Sequence, residues 1–495
     1  MLERPRRVRG SEEGVVDFQW SFFVDVGIIA IALLLATLIR WRVRFFQRFL
    51  IPNALTAGFI LLPFYNFVAP HIGLTNAGLG EIVYHLLSIS FVAMTLRRPL
   101  QPRGKSSRGV MGNTVALLFQ YGMQGFVGLL LTALLINTVM PDLFPAFGLL
   151  VPLGFALGPG QAFAIGGGWE PFGFVGAGTV GLTFAALGFL LACFIGVFLI
   201  NYGYRKGWAS PTAAANAARV GPKERQGRGS GIVDFDRENP IGARLTTYSD
   251  SIDTMSVNLG IVLATYFLSY LFLRFLTWAL GFVGELGTDL ATNLWGISFV
   301  FAMLVALVVK RVLHLTKWYP ILDHGSLARI SGTSVDIMVA AAVGAISLVV
   351  VLDYWFPIVI VGGIAGLLVT LTVPWMASRM FTSYRFQRTV TIFAAMTGTL
   401  PTGLAMLRVL DPEFSTPVAG DYVASSAVVF FALIPLILAM NLPAYSVSRG
   451  QPGLFWLTVA IIGTYMLIGI VAFRLMAKKR AFRQPARLWY TRDAE

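Results

Sequence analysis

Long apolar runs recur along this chain, and their length constrains the fold more than any other feature. Runs of roughly 18 to 25 residues, such as FFVDVGIIAIALLLATLI from Phe22, match the number needed to cross about 30 Å of hydrocarbon at 1.5 Å per residue. The chain therefore reads as an all-α, polytopic membrane protein. Only 13% of its residues are charged and 56% are hydrophobic, against about a quarter charged in soluble domains. The formal charge of +14 is explained by Lys and Arg collected in short loops on one side of a bilayer, so nucleic acid is excluded as a partner. Cys193 stands alone within an apolar run, which excludes an intramolecular disulfide.

About eleven spans are predicted, near 22–40, 51–68, 81–97, 112–138, 173–201, 254–280, 290–313, 330–352, 356–378, 417–440 and 454–474. The first run follows a polar leader, ends in RWRVR and lacks a cleavage site, so it reads as a retained span. Basic clusters follow the odd-numbered spans: Arg40, Arg42, Arg44 and Arg48 after the first, Arg97, Arg98, Arg103, Lys105 and Arg108 after the third, and further clusters after the fifth, seventh, ninth and eleventh. The intervening loops carry almost none. Cytoplasmic loops hold the positive charge, which puts the N-terminus outside and the C-terminus inside, against the four arginines of the leader.

The expected organisation is an extracytoplasmic tail (1–21), five spans (22–202), a hydrophilic cytoplasmic linker (203–252), five more spans (253–441), an extra span (442–475) and a basic cytoplasmic tail (476–495). Each half contains a polar, Gly- and Pro-rich interruption between its fourth and fifth spans. The first is ALGPGQAFAIGGGWEP, from Ala156, and the second is GTLPTGLAMLRVLDP, from Gly398. An offset of 241 residues pairs Glu170-Pro171 with Asp411-Pro412, Ala164 with Ala405, and Gln161-Ala162 with Thr402-Gly403. Five is odd, so the halves have opposite orientations, the inverted-repeat plan of secondary transporters. Residues 145–172 are then expected to form a re-entrant hairpin from outside, and residues 386–413 one from the cytoplasm. Their tips, Gly158-Pro159-Gly160-Gln161 and Thr399-Leu400-Pro401-Thr402, would meet near the midplane. Each tip begins a half-helix whose free N–H groups suit an anion, although Gly, Ala and Thr also occur where membrane helices merely pack closely.

These interruptions resemble those of the glutamate:sodium symporters, whose first hairpin carries a Gly-Gly-His-Gly-Thr-like motif and whose second carries Gly-x-Thr-Pro-Thr-Ala-x-Ala-Asn-Met. Gly398, Pro401, Thr402 and Ala405 match the second, GPGQA occupies the first position, and IPNALTAGFIL resembles the opening of the family's second span. The family's histidine falls at Pro159 and its asparagine at Met406, and SSAVVFFALIPLILAM in the tenth span has Pro435 and no carboxylate. The resemblance implies a scaffold and a mobile domain, usually in a homodimer in a bacterial-type plasma (inner) membrane. It also implies glutamate carried with Na+ by an elevator-like movement.

The substrate-binding candidates are Gly158, Pro159, Gly160, Gln161 and Ala162 at the first tip, and Gly398, Thr399, Pro401, Thr402 and Gly403 at the second. Arg408 could clamp a carboxylate in bidentate fashion or simply end its hairpin beside Asp411. Asp336, a carboxylate in a span, is a cation or proton candidate; the competing reading is a solvated group close to the basic loop ending at Arg329. Glu170 and Asp411 read as caps, His85 as a packed histidine and Glu81 as interfacial. No HExxH, GxSxG or Walker motif is present, so no enzyme is expected, no cofactor is implied and no metal site other than a coupling Na+. Proton coupling or no coupling, another carboxylate or amino acid, and a transport-inactive scaffold or receptor are the alternatives.

Overall fold

A computed structural model describes residues 20–49, 51–97, 107–208, 243–248, 250–282, 291, 294–411 and 416–490. The leader and most of the 203–252 linker lie outside these. Among the described residues, twelve helices are long and apolar enough to cross a membrane, which makes the chain a multi-pass membrane protein. Eleven coincide with the predicted spans, and the twelfth is the second interrupted segment.

In chain order the principal helices are α1 (Ser21–Arg42), α2 (Asn53–Pro63), α3 (Asn76–Leu96), α4 (Ser107–Thr138), α5 (Pro159–Gly167), α6 (Ala177–Arg205) and α7 (Thr254–Gly281). There follow α8 (Ser298–Leu315), α9 (His324–Gly344), α10 (Trp355–Met380), α11 (Arg385–Leu410), α12 (Val418–Ala439) and α13 (Gly453–Ala477). Helix α9 starts and ends earlier than its predicted span of 330–352. Its start is set by Asp323, whose side chain accepts hydrogen bonds from Ser326 N (2.6 Å) and Ser326 Oγ (2.7 Å), satisfying an otherwise orphaned N–H of the first turn.

The packing divides the helices into two groups. Helices α1, α2, α3, α7, α8 and α9 pack chiefly on one another, with α9 lying against α2 and α3, and α8 against α3 and α7. Helices α4, α5, α6, α10, α11, α12 and α13 form the second group: α13 and α12 lie on α4, and α5 and α11 lie on α6. Each half of the chain thus gives its first three long helices to one group and its interrupted segment with the flanking helices to the other. Helix α5 also touches α3 and α9 and joins the groups. The predicted extra span is α13; Gly122 and Gly469 allow α13 and α4 to pack backbone against side chain, as small residues do between membrane helices.

Candidate functional site

The helical path is broken at two places. Residues 150–157 are helical, Gly158 has φ +113° and ψ 176°, and α5 begins at Pro159. Proline is tolerated there because the first turn of a helix leaves its N–H unbonded anyway. Within α11 the break falls at Gly398 (φ −148°, ψ 25°) and Thr399 (φ 77°, ψ 169°), with Pro401 two residues on. Gly158 and Thr399 are paired by the same 241-residue offset that the sequence suggested, and they share a positive φ with an extended ψ. Glycine adopts that conformation freely, whereas a β-branched residue there is strained.

Helix α6 shows where the breaks lie. Close approaches place Gly166 against Ala177, Ala162 against Gly181, Phe155 and the Thr397 carbonyl against Gly188, Phe393 and Met406 near Gly196, and Phe386 against Gly203. The first broken segment therefore lies along the N-terminal half of α6 and the second along its C-terminal half. Gly403 abuts Thr391 and Ala395, so the chain after the second break runs back along the chain before it. Gly148 abuts Gly128 of α4 and Tyr121 of α4 reaches Ala156, so the first segment approaches along α4 and returns along α6. The breaks meet at mid-helix: a Cβ on Gly158 would stand 2.6 Å from Thr399 Cγ2.

The predicted tip residues are gathered here. Pro159, Gly160, Gln161 and Ala162 form the first turn of α5, and Pro401, Thr402 and Gly403 the first turn after the second break. Gln161 and Thr402 are buried, at 5% and 6% exposure. Gly160 packs on Leu87 of α3 and Met338 of α9, which brings the other helical group to the first break. Arg408 is not brought to the breaks. It lies exposed in the last turn of α11, nine residues beyond Thr399 and so on the order of 13 Å along the axis. Asp411 is buried and accepts from Thr416 N (2.9 Å) and Thr416 Oγ1 (2.5 Å), ahead of the first turn of α12, whose N-cap is Pro417. Asp336 sits in the middle of α9, on an exposed strip with Arg329, Gly332 and Thr333. It is therefore well removed from the helix end at His324. His85 bonds through Nδ1 to the Tyr266 hydroxyl (2.7 Å), and the Gly178 N–H donates to Glu170 Oε1 (3.4 Å).

Sequence reasoning passed over the residues that hold the breaks. Helix α4 supplies two donors three positions apart: the Tyr121 hydroxyl donates to the Ala156 carbonyl (3.2 Å), and Gln124 Nε2 donates to the Met396 carbonyl (3.1 Å). These carbonyls lie two and three residues before Gly158 and Thr399, where the interruptions deprive backbone groups of helical partners. A single helix thus ties both breaks. The same face of α4 carries Gln120, whose Nε2 donates to Thr372 Oγ1 of α10 (2.9 Å). It also carries Gly109, which lies against an ion pair between Arg388 Nη2 of α11 and Asp421 Oδ2 of α12 (2.6 Å). That pair is at most 1% exposed. The available signal was the spacing of Asn113, Gln120 and Gln124 in an apolar run, and the two charges Arg388 and Asp421 in runs that otherwise read as membrane segments. A further buried carboxylate, Asp25 of α1, accepts from the Tyr65 hydroxyl (2.5 Å).

Among the described residues, no group of three or more His, Cys, Asp or Glu gathers as metal ligands. The oxygens at the breaks are instead carbonyls, amides and hydroxyls. No protein-family model, curated protein or solved structure matches the chain.

Proposed function

We propose that the protein is a secondary active transporter of a small anionic solute, built as an inverted repeat with two re-entrant hairpins. The observation that carries this reading is the contact between Gly158 and Thr399, two breaks of the same backbone form that approach mid-helix from opposite ends of α6. Each break opens a half-helix whose first N–H groups lack helical acceptors, and such ends favour a carboxylate. Gln161 and Thr402 stand in those first turns as side-chain donors. The division into two helical groups, each drawing three principal helices from either half with α13 added to the second, supports an elevator in which the group carrying the breaks moves against the other.

Glutamate with Na+ is the leading pair, on the motif resemblance of the two hairpins. The reading includes a homodimer in a bacterial-type inner membrane with the N-terminus outside. Proteoliposomes given an inward Na+ gradient, or the same K+ gradient, test it: glutamate uptake only with Na+ supports the pair, and uptake of no carboxylate under a Na+, a K+ or a pH gradient overturns the transporter. Proton coupling is favoured by one observation, the exposed carboxylate of Asp336 in mid-helix. On that version Asp336→Asn abolishes uptake driven by a pH gradient and leaves substrate binding intact; unchanged uptake removes Asp336 from the mechanism.

A further inference from the structure

The segment after α13 folds back across the ends of the helices that carry the second break. The Arg379 guanidinium, fully buried at the end of α10, donates to four carbonyls: Trp375 (2.7 Å), Arg483 (3.3 Å), Gln484 (2.6 Å) and Arg487 (3.0 Å). Three of the four belong to the returning segment. At the start of α11, Arg385 Nη1 donates to the Tyr490 carbonyl (2.9 Å), and Tyr490 N donates to Ser378 Oγ (3.1 Å). Trp375 Nε1 donates to the Pro485 carbonyl (2.9 Å). The Trp489 ring stacks on Trp208, just past the end of α6, with centroids 4.5 Å apart and planes within 7°, and meets Phe386 edge-on. One stretch of chain thereby fastens α6, α10 and the base of α11 together.

Main-chain carbonyls and the indole of Trp489 carry the contacts described above. Lys478, Lys479 and Arg483 are exposed instead, directly beyond the end of a membrane-spanning helix and beside Phe482, which is 59% exposed. Cations in that position, flanking an exposed aromatic ring, match the negative surface of a bilayer, whose attraction adds with each Lys or Arg.

We propose that residues 478–490 form a strap read by anionic phospholipid: its inner side holds the base of α11, and its outer side docks on anionic headgroups, so that the lipid surface sets how firmly the second broken segment is held. This regulation rests on the transport reading for its consequence but not for its test, because the readout needs neither substrate nor uptake.

The experiment is amide hydrogen exchange over residues 385–390 in nanodiscs of phosphatidylcholine alone and of phosphatidylcholine with phosphatidylglycerol. The full chain should exchange roughly tenfold more slowly in the anionic discs. The triple variant Lys478→Gln, Lys479→Gln, Arg483→Gln should keep the rate seen in neutral discs and lose the dependence on lipid. Trp489→Ala should exchange faster in both discs, and Trp489→Phe, which retains a ring against Trp208, should recover much of the protection. Equal exchange of the full chain in the two discs, or lipid dependence that survives the triple variant, overturns the proposal. If exchange behaves as expected while proteoliposomes take up no carboxylate, the strap stands and the transport reading fails.

Discussion

Gly158 and Thr399 stand against each other at the middle of α6, each at a positive φ, each ending one helical segment and opening another. Because there is no room between them, the side-chain size of one residue and the backbone freedom of the other are coupled. Gly158→Ala would place a Cβ 2.6 Å from Thr399 Cγ2 in a conformation that alanine adopts only with strain, at a cost of about 1–3 kcal/mol. Thermal unfolding of the detergent-solubilised protein should show the loss. Thr399→Gly should act in the opposite direction and stabilise by up to about 1 kcal/mol, because it relieves the strain at φ 77° and removes the contact.

The hydrogen bond from Tyr121 to the Ala156 carbonyl and that from Gln124 to the Met396 carbonyl hold the two breaks from one helix. Tyr121→Phe should cost about 0.5–1.5 kcal/mol, the net value of one buried bond. Gln124→Leu should cost less than the loss of a bond alone would suggest. It leaves the Met396 carbonyl without its donor, but it also removes Gln124 Oε1, a buried oxygen with no hydrogen-bond partner among the described residues. A double-mutant cycle read by thermal unfolding checks the coupling: an interaction energy within about 0.5 kcal/mol of zero would mean the two breaks are held independently.

Asp323 gives a pH dependence outside the membrane. Burial pushes its carboxyl up, but hydrogen bonds from the Ser326 side chain and backbone outweigh that and hold it below the usual carboxylate value. A depressed pKa in the folded protein contributes stability that is fully present above the unfolded value of about 3.9 and is lost as pH falls through the folded value. Asp323→Ala should therefore cost about 1 kcal/mol at neutral pH, and the difference from wild type should shrink below about pH 4. A difference that stays constant down to the lowest pH at which the fold persists would assign the effect to packing rather than to the charged cap.

Much of this architecture was written in local chemistry. Apolar length alone predicts the spans, and Gly158, Pro159 and Pro401 mark the interruptions because they cluster there, whereas the isolated Pro374 and Pro435 stay inside α10 and α12. The offset that aligns the halves also survives in the geometry, pairing Gly158 with Thr399. What could not be read was tertiary. Arg408 looked suited to an anion by its distance in sequence from the tip, but a straight half-helix carries it away from the break. Tyr121 and Gln124 are ordinary polar residues in an apolar run until α4 is laid beside both breaks. Asp336 moved from helix end to helix middle because Asp323, and not the basic Arg329, determines where α9 starts.

The Arg388–Asp421 pair is the sharpest case of a charge whose meaning depends on its partner. Both groups are at most 1% exposed, and a single nitrogen, Nη2, contacts the carboxylate at 2.6 Å. Nε and Nη1 of Arg388 are buried without a hydrogen-bond partner among the described residues, so the guanidinium depends heavily on this one ion pair to offset its desolvation. Removing only the carboxylate, as in Asp421→Ala, leaves an uncompensated cation inside the bundle and should cost about 3–5 kcal/mol. Replacing both, Arg388→Met with Asp421→Leu, removes the attraction and both desolvation penalties together, and buried pairs exchanged for apolar residues of similar volume are often neutral or stabilised by about 1–4 kcal/mol. The double variant should therefore unfold at a higher temperature than Asp421→Ala, despite carrying more changes. If it proves the less stable of the two, the pair is not chiefly an electrostatic compensation, and the close approach of Gly109 to both side chains would have to account for its importance through packing.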